Sequence, residues 1–308
     1  MKVTVTGATG TLGAQLVKLL SSRGDEVTVL SRNAGSAREK LGSGVRPLEW
    51  KSPKTEAPPA ESLAGQDAVI HLLGEPVAQR WSDDSKREIR ESRVLSTRNL
   101  VAALRDVDDA QRPQVLVSQS ATGWYGPRGD EPVDESEPAA DDFLAQVCVE
   151  WESEARAAED LGMRVALTRT GVVLSEDGGA LEKMLPPFKL GVGGPVAGGD
   201  QYVPWIHTDD VVGALAFTLD TEGASGPVNL TAPEPVTNAE LTRTLGKLVH
   251  RPTLIPTPTP ALKVLFGDDM VREMLLGGTR AVPTKLQDAG FRWLHPTLEV
   301  ALADILGQ

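Results

Sequence analysis

The chain has 308 residues, of which 40% are hydrophobic and 24% are charged, a composition typical of a globular protein rather than a disordered one. Asp and Glu total 43 against 31 for Lys and Arg, so the net charge is −12. Because this charge repels phosphate backbones and anionic lipid, we expect neither nucleic acid nor a membrane as a partner.

Three features of the sequence predict a cytoplasmic protein. Cys148 is the single cysteine, so no internal disulfide forms and an oxidising compartment is not required. The N-terminus reaches Gly7 before a signal-peptide core is complete, and no apolar run approaches the roughly 18 residues that span a bilayer. The oligomeric state stays open, with a homodimer as one possibility.

The first half of the chain alternates between strand and helix patterns. Strands are predicted over 3–5, 26–30, 67–73, 114–118 and 164–168, and helices over 12–20, 83–105 and 142–161. The segment 67–73 is nearly continuous in apolar residues, as expected of a strand that is buried on both faces. This alternation predicts an α/β fold with a doubly wound parallel Rossmann sheet.

The composition changes after about Gly171, where glycines punctuate a loop-rich stretch and a Thr/Pro run over 252–260 precedes a helical tail. We therefore predict two domains. Residues 1–175 form a Rossmann domain that binds NADP, and residues 176–308 form a smaller α/β domain that is partly interleaved with the first. The substrate, an unidentified small molecule, is expected in the cleft between them.

A glycine-rich turn lies between the first strand and the first helix. Gly7, Gly10 and Gly13 allow a tight turn, a close approach to a pyrophosphate and close packing of helix on strand, while the helix N-terminus attracts the anion. The position of this turn favours dinucleotide binding over a purely structural role. The cofactor-binding residues predicted here are Gly7, Thr9, Gly10, Thr11, Leu12 and Gly13.

The end of the second strand indicates which dinucleotide is preferred. NAD enzymes usually carry Asp or Glu there for the ribose hydroxyls, but this strand ends with Ser31 and Arg32. An arginine binds a 2′-phosphate, whereas an acid repels it. We therefore predict that NADP(H) is preferred over NAD(H) through Ser31 and Arg32; the alternative is that Arg32 is a solvated loop residue.

Several further motifs carry a family resemblance. They occupy residues 71–74, 92–94, 120–126, 151–152, 169–174, 187–191, 205–210 and 277–283. With these motifs the chain resembles the extended short-chain dehydrogenase/reductase superfamily over nearly its whole length. It is most similar to an atypical branch labelled epimerase family protein, or NAD-dependent epimerase/dehydratase, that ends in a domain of unknown function.

The resemblance implies roles for residues outside the glycine turn. Ser120 matches the hydroxyl residue that hydrogen-bonds the reacting oxygen, with a local turn contact as the alternative. Arg93 matches a position near the nicotinamide, with a solvated helix arginine as the alternative. The remaining cofactor contacts implied in this way are Leu72, Leu73, Gly74, Ser118 and Arg169.

The superfamily's proton relay is missing. It needs a Tyr followed four residues later by a Lys, but Tyr125 is followed by Gly129 and Tyr202 by Ile206. By alignment, the Tyr position falls near 143–144 and the Lys position near Cys148. Tyr125, which follows the same strand as Ser120, is the best remaining proton donor; without a lysine its pKa is expected near the ordinary value of about 10. The alternative is that Tyr125 is a packing residue.

The segment around His207 reads as the start of a helix, with Thr208 or Asp209 as the N-cap. The four histidines are scattered at 71, 207, 250 and 295, so no metal site is expected. Two functions remain: an NADP(H)-binding oxidoreductase or epimerase-like enzyme, and a non-catalytic protein that binds NADPH as a sensor or regulator.

Overall fold

The structure is a computed structural model that describes residues 1–176 and 178–308. Its strands are β1 Lys2–Thr6, β2 Glu26–Ser31, β3 Val45–Glu49, β4 Ala68–His71, β5 Val115–Ala121, β6 Pro132–Val133, β7 Arg164–Thr170, β8 Val172–Leu174, β9 Tyr202–Val203, β10 Trp205–His207, β11 Gly226–Leu230, β12 Val236–Thr237 and β13 Arg280–Ala281. Its α-helices are α1 Thr11–Ser22, α2 Ala34–Leu41, α3 Asp83–Arg105, α4 Phe143–Arg156, α5 Gly179–Lys189, α6 Thr208–Asp220, α7 Asn238–Leu248, α8 Thr259–Phe266, α9 Asp268–Met270, α10 Thr284–Asp288 and α11 Leu298–Ile305.

The central sheet has seven parallel strands in the order β11-β7-β5-β4-β1-β2-β3. This confirms the predicted doubly wound α/β fold. Helices cover both faces: Leu16 of α1 and Leu215 of α6 are buried on one side, and Leu100 and Leu104 of α3 on the other. The strand order reverses between β1 and β4, and open α/β sheets bind ligands at such a reversal, outside the carboxyl ends of the strands.

Strand β3 was not predicted, because Pro47 interrupts its apolar pattern. Proline removes one ladder hydrogen bond, and β3 tolerates it because it pairs only with β2 at the edge of the sheet. The helix predicted over 142–161 is shorter in the structure. It ends at Arg156, and a separate 3₁₀ turn over Glu159–Leu161 stops at Gly162, which adopts a left-handed conformation.

The C-terminal part of the chain returns to the central sheet. Strand β11 pairs with β7, and α6 packs against α1, although both follow the predicted boundary at residue 175. Two small sheets, β8–β10 and β6–β13, each pair a strand before residue 175 with a strand after it, whereas both strands of the β9–β12 sheet follow residue 175. Within the described ranges, none of the helices is both long enough and apolar enough to cross a bilayer.

Candidate functional site

A first cavity of about 270 Å³ lies over the glycine turn, at the point where the strand order of the sheet reverses. Six of its lining residues were predicted as cofactor contacts: Gly7, Gly10, Thr11, Leu12, Gly13 and Leu72. Five were not: Gln119, Val173, Ser175, Gly178 and Gly179. Gly10 precedes α1 without a side-chain cap, so the first-turn N–H groups and the positive end of the helix dipole stay available to an anion.

The backbone of this turn tolerates no side chain at two of its glycines. A Cβ on Gly13 would lie 2.2 Å from the Gly7 carbonyl oxygen. Gly7 has a φ of 66°, and a Cβ there would lie 2.7 Å from the Leu72 carbonyl oxygen. The turn is therefore drawn close against both α1 and the end of β4, and this is the cradle that a pyrophosphate requires.

His71 connects the glycine turn to α3. The Thr97 hydroxyl donates to the Arg93 carbonyl oxygen, so at 3.0 Å it accepts from Nε2–H of His71. The Thr6 hydroxyl accepts the Leu72 N–H and donates to His71 Nδ1 at 2.8 Å. His71 is thus a neutral imidazole with its proton on Nε2, and its complete burial lowers its pKa to about 3.

Acid should destabilise the protein through His71. In the unfolded chain the imidazole takes up its proton near pH 6.5, whereas the folded state resists protonation down to about pH 3. The free energy of unfolding should therefore fall as the pH drops through this window, by up to about 1.4 kcal/mol per pH unit from this one group. Urea unfolding at several pH values should show a shallower slope for His71→Gln. The exposed His250→Asn is the control, and equal slopes for wild type and His71→Gln would contradict the assignment.

A second cavity of about 390 Å³ lies beside the first. Strand β8 separates the two, because Val173 lines the first cavity while Val172 and Leu174 line the second. The second cavity is enclosed by the loop after β5, by α5 and by the C-terminal segment. Its apolar lining includes Leu144, Met184, Phe188, Val203, Leu241, Leu262, Phe266, Met270, Met274 and Leu275, and its charged residues are Asp142, Lys183 and Glu273.

Ser120, Tyr125 and Arg169 meet in a buried hydrogen-bond network instead of lining either cavity. Arg169 forms a two-pronged ion pair with Glu152, with Nε–Oε1 at 2.8 Å and Nη2–Oε2 at 3.0 Å, and Ser120 donates to the same Oε1 at 2.7 Å. Tyr125 donates to Asn229 Oδ1 at 2.7 Å and accepts from Arg169 Nη1 at 3.1 Å.

The structure corrects the expectation for the Tyr125 pKa. The side chain is completely buried, and this desolvation raises the pKa to about 12 in spite of the neighbouring Arg169, rather than leaving it near the ordinary value. The hydroxyl is therefore a neutral donor that is already committed to Asn229. The guanidinium of Arg169 also stacks on the ring of Trp124, 3.8 Å from its centroid, so it faces protein groups and not a cavity.

The resemblance puts the missing Tyr near Phe143 or Leu144 and the missing Lys near Cys148, all of which lie on α4. Leu144 lines the second cavity, and Cys148, one turn later, lies with its Sγ 3.7 Å from the Ala121 carbonyl oxygen. Burial raises the pKa of the Cys148 thiol to about 12, so it stays protonated. Glu273 reaches this helix end from the C-terminal segment: its Oε2 accepts the Leu144 N–H at 3.3 Å, and burial raises its pKa.

The other predicted cofactor residues are not among the residues that line the first cavity. Arg32 is exposed after β2, and the Ser31 hydroxyl accepts the Asn33 N–H at 3.3 Å. Thr9 lies in the turn, where its carbonyl oxygen accepts from Lys40 Nζ at 2.8 Å. Lys40, on α2, is thus a second cation beside the turn, and no sequence motif pointed to it.

Four more of these residues, Arg93, Gly74, Leu73 and Ser118, pack against protein groups or are buried. The Arg93 guanidinium packs against Gly74 and over the Trp151 ring, and burial lowers its pKa to about 10. Leu73 packs on the hydrophobic core that contains α3, and Ser118 is fully buried within β5.

The start of α6 differs from the prediction. The N-cap is His207, not Thr208 or Asp209, because His207 Nδ1 accepts the Asp209 N–H at 3.1 Å. The fold also brings His207, Asp209, His295 and Asp304 together, a cluster that their spacing in the sequence did not indicate. Since Nδ1 of His207 is an acceptor, the neutral ring carries its proton on Nε2. Nε2 lies 3.4 Å from Asp304 Oδ2 but makes no hydrogen bond to the part of the chain that the structure describes.

The glycine cradle at the sheet reversal defines a dinucleotide-binding Rossmann protein. Residues 3–230 match the NAD dependent epimerase/dehydratase family, and residues 257–305 match a domain of unknown function, DUF1731. The chain therefore belongs to this epimerase/dehydratase family, and the resemblance inferred from its motifs is confirmed.

Individual relatives extend over the full chain. Epimerase family protein Mb2239 of Mycobacterium bovis is 41% identical over 301 residues, covering 97% of this chain and 96% of the relative. A chloroplastic SDR39U1 homologue of Arabidopsis thaliana is 37% identical, with 99% of this chain and 87% of the relative covered. The crystal structure of human epimerase family protein SDR39U1 with NADPH has a TM-score of 0.88 at 33% identity and covers 100% of both chains.

Proposed function

We propose that this protein is an NADP(H)-binding oxidoreductase or epimerase-like enzyme that acts on a small molecule in the second cavity. The observation that carries this proposal is the first cavity, whose floor is the glycine cradle and whose side wall, β8, is shared with the second cavity. The NADPH in the crystal structure of the human relative supports the same choice of cofactor. We also propose a cytoplasmic location. The oligomeric state can be measured on the purified protein.

The residues present fit a dinucleotide. A Cβ would fill the space at Gly7 and at Gly13, so the close backbone approach that a pyrophosphate needs is built into the turn. The N–H groups at the start of α1 would hold the pyrophosphate, and Arg32 with Lys40 would hold a 2′-phosphate. When bound, NADPH supplies a hydride; the protein must orient the substrate, exclude water and provide a proton.

Removing Arg32 should change the preference between the two cofactors. A charged contact to a 2′-phosphate is worth ~1.5–3 kcal/mol, or about one to two decades in affinity. We expect Arg32→Ala to weaken NADPH binding about 10- to 100-fold and to leave NADH binding within about twofold, as measured by calorimetric titration. Arg46→Ala, an exposed arginine on β3, is the matched control. Equal losses for both cofactors would exclude a 2′-phosphate role for Arg32.

For the proton we propose Glu273 ahead of Tyr125. Glu273 lines the second cavity, and its raised pKa keeps it protonated to a higher pH than an ordinary glutamate. Asp142, a second carboxyl group on the same cavity, contributes to that shift after burial. The Tyr125 hydroxyl, in contrast, would have to leave Asn229 before it reached a substrate.

Tyr125→Phe should therefore lower the free energy of unfolding more than it lowers the turnover rate. Loss of the hydroxyl leaves Asn229 Oδ1 and one Arg169 N–H without a partner in a buried place, at a cost of about 1–3 kcal/mol in the free energy of unfolding. Tyr202→Phe removes a tyrosine hydroxyl from the lining of the second cavity and is the control for the loss of stability. If turnover instead falls by ~10²–10⁴-fold in Tyr125→Phe with unchanged stability, while Glu273→Gln stays active, Tyr125 is the proton donor.

A non-catalytic NADPH sensor is the second candidate, favoured by Leu144 and Cys148 in the positions of the missing Tyr and Lys. Incubation with NADPH and a broad panel of carbonyl compounds and nucleotide sugars separates the two functions. An oxidoreductase consumes NADPH with at least one member of the panel, and an epimerase converts at least one member into its epimer without net consumption of the cofactor. Tight NADPH binding without any turnover across the panel would favour the sensor.

A further inference from the structure

The walls of the second cavity are mostly hydrocarbon and thioether. They include Leu174 of β8, Met184 and Phe188 of α5, Leu241 of α7, Phe266 of α8 and Met270 of α9. Apolar walls gain free energy by burying apolar ligand surface, roughly 25 cal/mol per Å², and gain nothing from hydroxyl-rich sugars. The volume of about 390 Å³ is within the usual range for small-molecule sites.

The charges on this cavity oppose a diphosphate. Asp142 and Glu273 line it, and Lys183 is the single cation among the described lining residues. The Lys183 ammonium is exposed and donates to the Ala78 carbonyl oxygen, so it is already partnered. No arginine lines the described wall, although arginine is the side chain best suited to binding phosphate. A nucleoside diphosphate would bring two or more negative charges to a wall whose ionisable side chains are two carboxyl groups and one ammonium that already has a partner.

The entrance is apolar as well. Val192 lines the cavity and is 59% exposed, and Ile255, whose carbonyl group packs on Gly194 of the lining, is 63% exposed. On α8, Leu262 and Phe266 line the cavity while Val264 and Leu265 face solvent at 71% and 63% exposure. Large exposed apolar side chains on or next to the segments that line a cavity are typical of a binding site for an apolar molecule.

We infer that the second cavity takes an uncharged, largely apolar carbonyl compound and not a nucleotide-diphosphate sugar. That the ligand is a carbonyl compound rests on the proposed function. Reduction adds a hydride to the carbonyl carbon and a proton to its oxygen, leaving an alcohol and the oxidised cofactor. The affinity for apolar molecules rests on the cavity itself.

The test is a fluorescence titration with the neutral apolar probe N-phenyl-1-naphthylamine, with and without NADPH, followed by competition with 2-decanone and with UDP-glucose. We expect saturable probe binding, displacement by 2-decanone and no displacement by UDP-glucose. Met184→Lys, inside the cavity, and Val192→Lys, at its entrance, should each weaken probe binding at least tenfold. Leu294→Lys, an exposed apolar residue outside the cavity, should leave it within twofold.

The outcomes separate this inference from the proposed function. Displacement by UDP-glucose but not by 2-decanone would overturn the inference while leaving NADPH binding intact. Equal probe affinity in wild type, Val192→Lys and Met184→Lys would overturn it too, since the probe would then lie elsewhere. Val192→Lys keeps the test valid if Met184→Lys fails to fold, because Val192 is mostly exposed. Probe binding at the cavity without any NADPH binding would support the inference and overturn the proposed function.

Discussion

Replacement of Gly13 by valine should lower the affinity for NADPH at least 100-fold, or about 2.7 kcal/mol. A Cβ at this position would lie 2.2 Å from the Gly7 carbonyl oxygen and 2.7 Å from the Ala8 Cα. Both are backbone atoms, so neither can rotate away as the end of a flexible side chain would. The turn has to open, and its N–H groups then no longer converge on a pyrophosphate.

The measurement is calorimetric titration of folded Gly13→Val with NADPH. Gly44→Val is the matched control, since a Cβ on Gly44 would meet nothing within 4 Å. Gly10→Val should be intermediate, because its Cβ would lie 3.3 Å from the Gly7 carbonyl oxygen, within reach of a small adjustment. Unchanged NADPH affinity in Gly13→Val would remove the turn from the cofactor site.

Removal of the Glu152 carboxylate should destabilise the fold by about 3–5 kcal/mol, the cost of leaving a buried cation without its partner. The side chains of Arg169 and Glu152 are each only 2% exposed, and the pair has good two-pronged geometry. In Glu152→Ala the guanidinium keeps only the Tyr125 hydroxyl and one backbone carbonyl oxygen within hydrogen-bonding distance. Ser120 loses its acceptor as well.

Urea unfolding of matched variants tests the size of this effect. Glu154→Ala removes the partner of the exposed Arg98 on the neighbouring α3 and should cost less than about 1 kcal/mol. The double variant Glu152→Leu with Arg169→Met removes both charges and should recover part of the loss. If Glu152→Ala is no less stable than Glu154→Ala, the buried pair does not hold β7 to α4. Retained NADPH affinity in the folded double variant would further argue against a cofactor contact by Arg169.

Local patterns were sufficient for the elements around the glycine turn, although not for β8. The apolar run that became β4 and the helical spacing that became α1 and α3 are properties of neighbouring residues. The glycine spacing likewise predicted the close contact now seen between Gly13 and Gly7, because backbone clearance at a tight turn is decided within a few residues. Strand β3 was missed because its pattern contains Pro47, which only an edge position explains.

The sequence by itself determined the parallel α/β fold, the glycine cradle and the absence of the Tyr/Lys pair, since each follows from residue order and short spacing. Only the tertiary structure decided which polar side chains face a ligand. Tyr125 and Asn229 lie 104 residues apart, and Ser120 and Glu152 lie 32 apart, so no local pattern signals that they pair. A polar group that loses water on folding binds whatever partner the packing brings to it. For Ser120, Tyr125 and Arg169 that partner is another side chain of the protein, whereas Glu273, unremarkable in sequence, is carried by the C-terminal segment to the wall of the second cavity.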